Sequence, residues 1–288
     1  MNVSCQTITW GGVVGDAGGV TSVKDLFYRA NGSTEAALRE IAAAGYQGVE
    51  IFDGNLRQYE DRPDELRDLL DQLGLSLVAA YSGANFVYRD ILDDELWRIE
   101  RAASLAATFG ATHFVVGGGA RRSSGTVDDD YVRLAEGLDR VCDIAERYSL
   151  TASYHPHLGT IVEGPAEVDR ILSLSRIGFC PDTAHLAAAG GDPADLIRRH
   201  GRRVTYVHLK DLQPDPFAFR PLGRGVVDVP GVVEALRDVR YEGWLTVELD
   251  EYEGAAGEAA SDSLRYLRPL LAAGSSPARK SGQLPGKA

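Results

Sequence analysis

Four short clusters of chemically competent side chains lie in the second half of the chain: Tyr154-His155-Pro156-His157, Asp182-Thr183-Ala184-His185, His208-Leu209-Lys210-Asp211 and Glu248-Leu249-Asp250. Each follows a short apolar run of β type, so each set is delivered at the end of a strand. Imidazole nitrogens and carboxylate oxygens are ligands for Mn²⁺, Co²⁺, Fe²⁺ and Zn²⁺, and two carboxylates keep affinity for harder ions such as Mg²⁺. One residue from each cluster, His155, Asp182, His208 and Glu248, makes the most economical ligand set. An ion held there could bind a carbonyl and an adjacent hydroxyl of one substrate and stabilise the enediolate formed when a proton is lost between them.

Other residues frame that set. His157 is two residues from His155, on the same face of an extended segment, where it can bind substrate or carry a proton. His185 is similarly placed. Lys210 can polarise an oxygen or hold a negative substrate group, with a rim salt bridge to Asp211 as the alternative. Glu163 follows the turn at Gly159 and either reaches the pocket or caps the helix that starts at Pro165. Glu50 ends an early strand and is a candidate substrate binder or base, or a member of a buried ion pair. Asp182, after Pro181, could instead cap the next helix. His113 is a strand histidine outside the clusters. The glycines of Gly117-Gly118-Gly119 and of residues 220–225 can bring backbone close to a ligand, although neither stretch has phosphate-loop spacing.

These clusters need a frame that brings distant strand ends together. Strand patterns at 3–9, 48–52, 75–80, 113–116, 150–155, 177–180, 204–208 and 244–248 alternate with helix patterns at 33–44, 63–73, 93–109, 127–147, 165–174, 193–200, 230–239 and 255–271. The strands are short and apolar, as when both faces are covered, and the helices keep charge on one face. In the helix at 93–109, Leu92, Leu96, Ile99 and Ala103 form the apolar stripe, while Asp93, Asp94, Arg98 and Arg101 are expected to face water. Eight repeats without an early GxGxxG favour a single (β/α)8 TIM barrel over an open sheet. Strand C-terminal ends then share one mouth. The barrel is expected over residues 1–273, with 274–288, rich in Gly, Ser, Pro and basic residues, as a disordered tail.

The 288 residues carry a formal charge of -12, which argues against nucleic acid as a partner. Three cysteines without CxxC spacing suggest neither a disulfide framework nor a thiolate cluster, and fit a reducing cytoplasm. No apolar stretch is long enough for a membrane span.

The phrases YHPHLGT at 154–160, CPDTAH at 180–185, VHLKD at 207–211 and TVEL at 246–249 resemble the sugar phosphate isomerase/epimerase superfamily with its xylose-isomerase-like TIM barrel, nearest its inosose-dehydratase-like branch. Thr9-Trp10 and AGYQGVE at 44–50 fit as well, so the likeness covers residues 3–271. It implies a divalent ion, most often Mn²⁺ or Co²⁺, held by residues at the ends of strands 5 to 8. Asp182, His208 and Glu248 match the common pattern, whereas many isomerases and epimerases have glutamate where this chain has His155. In two-glutamate epimerases the carboxylates act as acid and base on opposite faces of the enediolate, and this histidine weakens that mechanism here. The YHPHLGT phrase instead resembles inosose dehydratases and related enzymes that eliminate from keto-sugars, including C-glycoside-cleaving ones that work with a second subunit.

The expectation is therefore an enzyme, an isomerase or lyase, that takes a proton next to the carbonyl of a keto-sugar or keto-cyclitol. The metal, Mn²⁺ foremost with Co²⁺, Mg²⁺, Fe²⁺ or Zn²⁺ as alternatives, would polarise the carbonyl, and His157, His185 or Glu248 would move the proton. Glu50, Glu163 and Lys210 join His157 and His185 as substrate contacts. The competing readings are the catalytic subunit of a 3-keto-glycoside or C-glycoside lyase, a metal-dependent phosphodiesterase or abasic-site nuclease, and a non-catalytic sugar-binding or assembly subunit. Homo-oligomers and hetero-oligomers with a second subunit are both compatible with the sequence.

Overall fold

Ser33 accepts a hydrogen bond from the Ala36 amide at 3.2 Å, and Gly45 takes a φ of 94°, so the first helix starts and stops at its own capping residues. That helix belongs to a computed structural model that describes residues 1–12 and 27–273. The expected tail at 274–288 lies outside the described residues. In chain order the principal elements are β1 (Asn2–Gln6), α1 (Thr34–Ala44), β2 (Gly48–Phe52), α2 (Asp53–Leu56), α3 (Pro63–Leu73), β3 (Ser76–Ala84), α4 (Leu92–Thr108), β4 (His113–Gly118), α5 (Asp128–Arg147), β5 (Thr151–Tyr154), α6 (Pro165–Leu174), β6 (Gly178–Phe179), α7 (Thr183–Ala188), α8 (Pro193–His200), β7 (Val207–Leu209), β8 (Asp211–Pro214), β9 (Phe217–Arg220), α9 (Val229–Asp238), β10 (Trp244–Val247) and α10 (Ala256–Ala272).

Eight strands form one parallel sheet in the order β6-β5-β4-β3-β2-β1-β10-β7. The two ends meet through parallel bridges between Phe179 and Val204 and between Asp182 and His208, which close the (β/α)8 barrel. Period-two alternation divides the strands. Val49, Ile51, Phe114, Val116, Tyr154, Val207, Leu209, Leu245 and Val247 belong to the large apolar core that includes the helices. The intervening positions, among them Val115, Tyr81 and Tyr206, form a second, smaller cluster inside the barrel.

Several boundaries differ from the sequence reading, each for a local reason. The first strand stops at Gln6 because the Gln6 side chain accepts from the Ile8 amide and turns residues 7–9 into a 3₁₀ turn. A short helix, α7, intervenes before α8 because Asp182 caps it. The chain after β7 forms an antiparallel β8–β9 hairpin that no strand pattern had marked. On α4 the apolar stripe is buried as expected, but so is Arg98, whose guanidinium reaches the Gly83 carbonyl at 2.6 Å. The triple glycine at 117–119 serves close packing rather than ligand access: a Cβ on Gly117 would strike the Tyr81 hydroxyl, and one on Gly118 the Ala84 carbonyl.

Closure depends on Thr183, whose hydroxyl donates to the Lys210 carbonyl at 2.6 Å and accepts from the Lys210 amide at 2.8 Å. Thr183→Val keeps the shape but leaves two buried backbone groups unpaired, and should lower stability by roughly 2 to 4 kcal/mol. Equal denaturation midpoints for the variant and the parent protein would show that closure does not rest on this hydroxyl.

Asp53 ties the exit of β2 to its neighbours. It accepts from the Tyr28 amide at 2.9 Å, the Gly54 amide at 2.8 Å and the Ser82 hydroxyl at 2.6 Å. Burial nevertheless pushes its carboxyl up to about 6, against those donors and Arg98. The folded state then binds this proton more tightly than the unfolded chain does. The stability so contributed is complete below about pH 4 and disappears as pH rises through 6, a swing of roughly 3 kcal/mol at about 1.4 kcal/mol per unit. Asp53→Asn should flatten that slope in urea titrations between pH 4 and 7, and parallel curves for the two proteins would overturn the assignment.

Candidate metal centre and active site

The alternation that buries Val207, Leu209 and Val247 on the helix side turns His208 and Glu248 into the barrel, and it does the same for Glu50 and His155. Asp182 arrives from the end of β6 through its bridge to His208. One ligand atom from each of His155, Asp182, His208 and Glu248 lies within 4.8 Å of the others, and all four residues are buried.

His208 Nδ1 and Glu248 Oε2 are 2.8 Å apart, yet neither atom has a partner aligned as in a hydrogen bond. Two ligands each about 2.1 Å from one ion lie about 3 Å apart, so this spacing fits lone pairs that converge on a shared cation. His155 Nε2 stands 3.4 Å from Asp182 Oδ2 and 4.0 Å from Glu248 Oε2. Asp182 divides its oxygens: Oδ1 accepts from the Ala184 and His185 amides at 2.9 and 2.8 Å, and Oδ2 faces the cluster. The capping reading of this residue is thus realised, and its second oxygen lies in the four-residue cluster. This donor set fits a divalent ion.

Electrostatics reinforce the geometry. Burial works against ionised Glu248, but Lys210 and His208 overcome it and hold the carboxyl down to about 2. Asp182 is likewise held well below the usual range, burial being outweighed by His185, Lys210 and His155. Burial alone would lower His208, but Glu50, Cys180 and Glu248 raise it well above the usual imidazole range, so an ion bound at Nδ1 would have to displace a proton there.

The remaining expected site residues separate into groups. Glu50, read from sequence as a substrate contact or base, is fully buried behind His208, with Oε2 3.0 Å from Nε2. That contact fixes the Nε2 proton and turns Nδ1 toward the cluster, as carboxylate–histidine–metal arrangements do. His157 and His185 lie beside the cluster with ring centroids 3.8 Å apart. His157 Nδ1 donates to the Leu158 carbonyl at 2.6 Å, which leaves the lone pair on Nε2. Glu163 accepts from the Gly159 amide and pairs with Arg121 at 2.6 Å, so the contacts of its carboxylate lie within its own loop and at the rim.

Lys210 is buried against Asp250 at 2.5 Å, not paired with Asp211. Asp211 points the other way and accepts from the amides of Gly223, Gly225 and Val227 at 3.0, 2.9 and 3.0 Å. The glycines of the 220–225 loop therefore serve a protein carboxylate. Sequence reasoning placed Asp250 in the fourth cluster without a role, and passed over Tyr81, whose ring stands edge-on to His155 at 5.5 Å, and Phe219, whose face lies 4.2 Å from Lys210 Nζ. Asp250 carries a readable signal, because it is two residues beyond Glu248 on the same face.

Residues 38–270 match the sequence pattern of the xylose isomerase-like TIM barrel family. The chain is similar to an inosose dehydratase of Lacticaseibacillus casei, 28% identical over 267 residues that make up 81% of this chain and 88% of the relative. It is also similar to the rhizopine catabolism protein MocC of Rhizobium meliloti, 32% identical over 250 residues, 75% of this chain and 74% of that one. The crystal structure of IOLI protein with a binding zinc atom superposes with a TM-score of 0.73 at 17% identity, over 95% of this chain and 99% of that one. With the closed barrel and its mouth, these likenesses establish that the chain belongs to the xylose isomerase-like TIM barrel family.

Proposed function

We propose that this protein is a divalent-metal-dependent enzyme that removes the proton next to the carbonyl of a keto-cyclitol or keto-sugar and completes either β-elimination or isomerisation. The observation that carries the reading is the buried convergence of one ligand atom from each of His155, Asp182, His208 and Glu248 within 4.8 Å of one another, with His208 Nδ1 2.8 Å from Glu248 Oε2. Similarity to proteins named inosose dehydratase supports a keto-cyclitol and favours loss of water.

His155, Asp182, His208 and Glu248 would hold the ion, for which two imidazoles and two carboxylates suit Mn²⁺, with Co²⁺, Fe²⁺, Zn²⁺ and Mg²⁺ as alternatives. The bound ion would supply Lewis-acid polarisation of the substrate carbonyl. Glu50 keeps His208 in the tautomer that offers Nδ1. His157, with its proton fixed on Nδ1 by Leu158, offers Nε2 as the base, and burial lowers its pKa to about 4, so it is neutral at pH 7. His185 Nε2 lies 3.2 Å from the Lys210 ammonium and accepts from it, so His185 carries its own proton on Nδ1. A proton passed from the Lys210 ammonium to Nε2 as Nδ1 releases its own would let His185 return a proton, to a carbon in isomerisation or to a departing hydroxyl in elimination, without forming an imidazolate.

Mass spectrometry on keto-inositols, ketohexoses and 3-keto-glycosides in D₂O with Mn²⁺ separates the outcomes. Deuterium gain marks proton abstraction, and loss of water or aglycone marks elimination. Full exchange by EDTA-treated protein that contains no divalent ion would overturn the metal-dependent reading. Exchange should vanish in His157→Gln, whereas His185→Gln should keep exchange while product formation falls about 10²-fold or more. Exchange retained in His157→Gln would transfer the base role to Glu248. Glu50→Gln should weaken Mn²⁺ binding about 10-fold or more, measured by competition with a chelator, and unchanged affinity would remove Glu50 from the metal's support.

A further inference from the structure

We propose that Asp250 is a positioning residue for this reaction, holding the Lys210 ammonium so that one N–H faces the space over Asp182 and Glu248 where a substrate oxygen binds. The inference rests on the functional reading above. It starts from strand register: Thr246 lies beside His208 and Val247 beside Leu209, and the Glu248 amide bonds the Leu209 carbonyl at 3.0 Å. The inward positions of the two strands continue as His208 and Lys210 on one and Glu248 and Asp250 on the other.

An ammonium has three donors and no acceptor. One of those on Lys210 goes to Asp250 Oδ1 at 2.5 Å and a second to His185 Nε2 at 3.2 Å. Asp182 Oδ2 and Glu248 Oε2, at 3.8 and 3.7 Å, are too far for good hydrogen bonds but near enough to draw the third donor toward the cluster. The Phe219 ring, 4.2 Å from Nζ, closes another side. Lys210 is therefore tethered on two donors and presents the third beside the ligand set. Asp250 is itself buried, its Oδ2 has no hydrogen-bond partner among the described residues, and its Oδ1 holds Lys210. Without Asp250, the four-carbon stem would be free to pair Nζ with Asp182 or Glu248, which would withdraw the donor from substrate and crowd the metal ligands.

The test is a double-mutant cycle on the full chain with saturating Mn²⁺, read as deuterium exchange into a keto-inositol. Asp250→Asn should lower kcat about 10²-fold, with Mn²⁺ affinity unchanged within threefold, and Asp250→Glu should recover at least tenfold of that loss. Lys210→Met should be at least as impaired, and the double variant no worse than Lys210→Met. Losses that multiply in the double variant, or an undiminished Asp250→Asn, would overturn the positioning role while leaving the functional reading intact. If Lys210→Met fails to fold, the ratio of Asp250→Glu to Asp250→Asn decides, and equal rates would overturn the proposal. A parent protein that exchanges no keto-inositol would overturn the functional reading and this inference with it.

Discussion

Four carboxylates, Glu50, Asp182, Glu248 and Asp250, lie buried in one barrel mouth, and the surrounding structure is arranged around their charge. An isolated ionised carboxylate cannot stay in such a place without a cation or strong donors. Each has a separate answer. Glu50 faces His208, Asp182 takes two helix amides on one oxygen, Glu248 sits between His208 and Lys210, and Asp250 pairs with Lys210. One lysine cannot satisfy all of them. Burial, with Glu248 adding to it, pushes Asp250 up to about 7 despite its contact with Lys210. A divalent ion among the four converging ligands would supply the positive charge that these side chains lack.

The barrel is the frame that makes this concentration of charge tolerable. Outward positions of the same strands carry valine, leucine, isoleucine and tyrosine into the core beneath the helices, so the strands are anchored by apolar burial while their inward tips carry polar groups. The weakest link in the sheet is between β6 and β7, where only isolated bridges join the strands, and the Thr183 hydroxyl pairs with both backbone groups of Lys210 there. Closure of the barrel and placement of Asp182 and Lys210 are therefore one structural event.

The strand ends were legible in the sequence because period-two alternation is local: a histidine or glutamate that ends an apolar run must point either to the helices or into the barrel. What stayed hidden depends on distance rather than pattern. Arg98 falls on the polar side of α4 by periodicity, yet its long stem carries the guanidinium to the Gly83 carbonyl. Lys210 stands next to Asp211 in sequence, but successive strand residues face opposite ways, so its partner comes from the neighbouring strand as Asp250. Glu50 was recognised as a buried carboxylate, and only the three-dimensional placement shows that it stands behind His208. Glu163, read as reaching the pocket or capping the helix at Pro165, has the Gly159 amide and Arg121 at its carboxylate because its loop folds back.

His155 gives the site its asymmetry. A mouth with glutamates at both flanking ligand positions has matched carboxylates on two faces of a bound ketone, whereas here one flank is an imidazole and the other is Glu248. The groups proposed to move the proton are asymmetric as well, because His157 and His185 share one side, with ring centroids 3.8 Å apart. Their tautomers are set by different neighbours, the Leu158 carbonyl for one and the Lys210 ammonium for the other. Epimerisation needs a proton taken from one face and returned to the other, which suits matched groups on opposite flanks. Elimination needs a base and an acid that reach adjacent carbons, which two histidines on one side can serve. Under the proposed reading, this arrangement would favour loss of a leaving group over epimerisation.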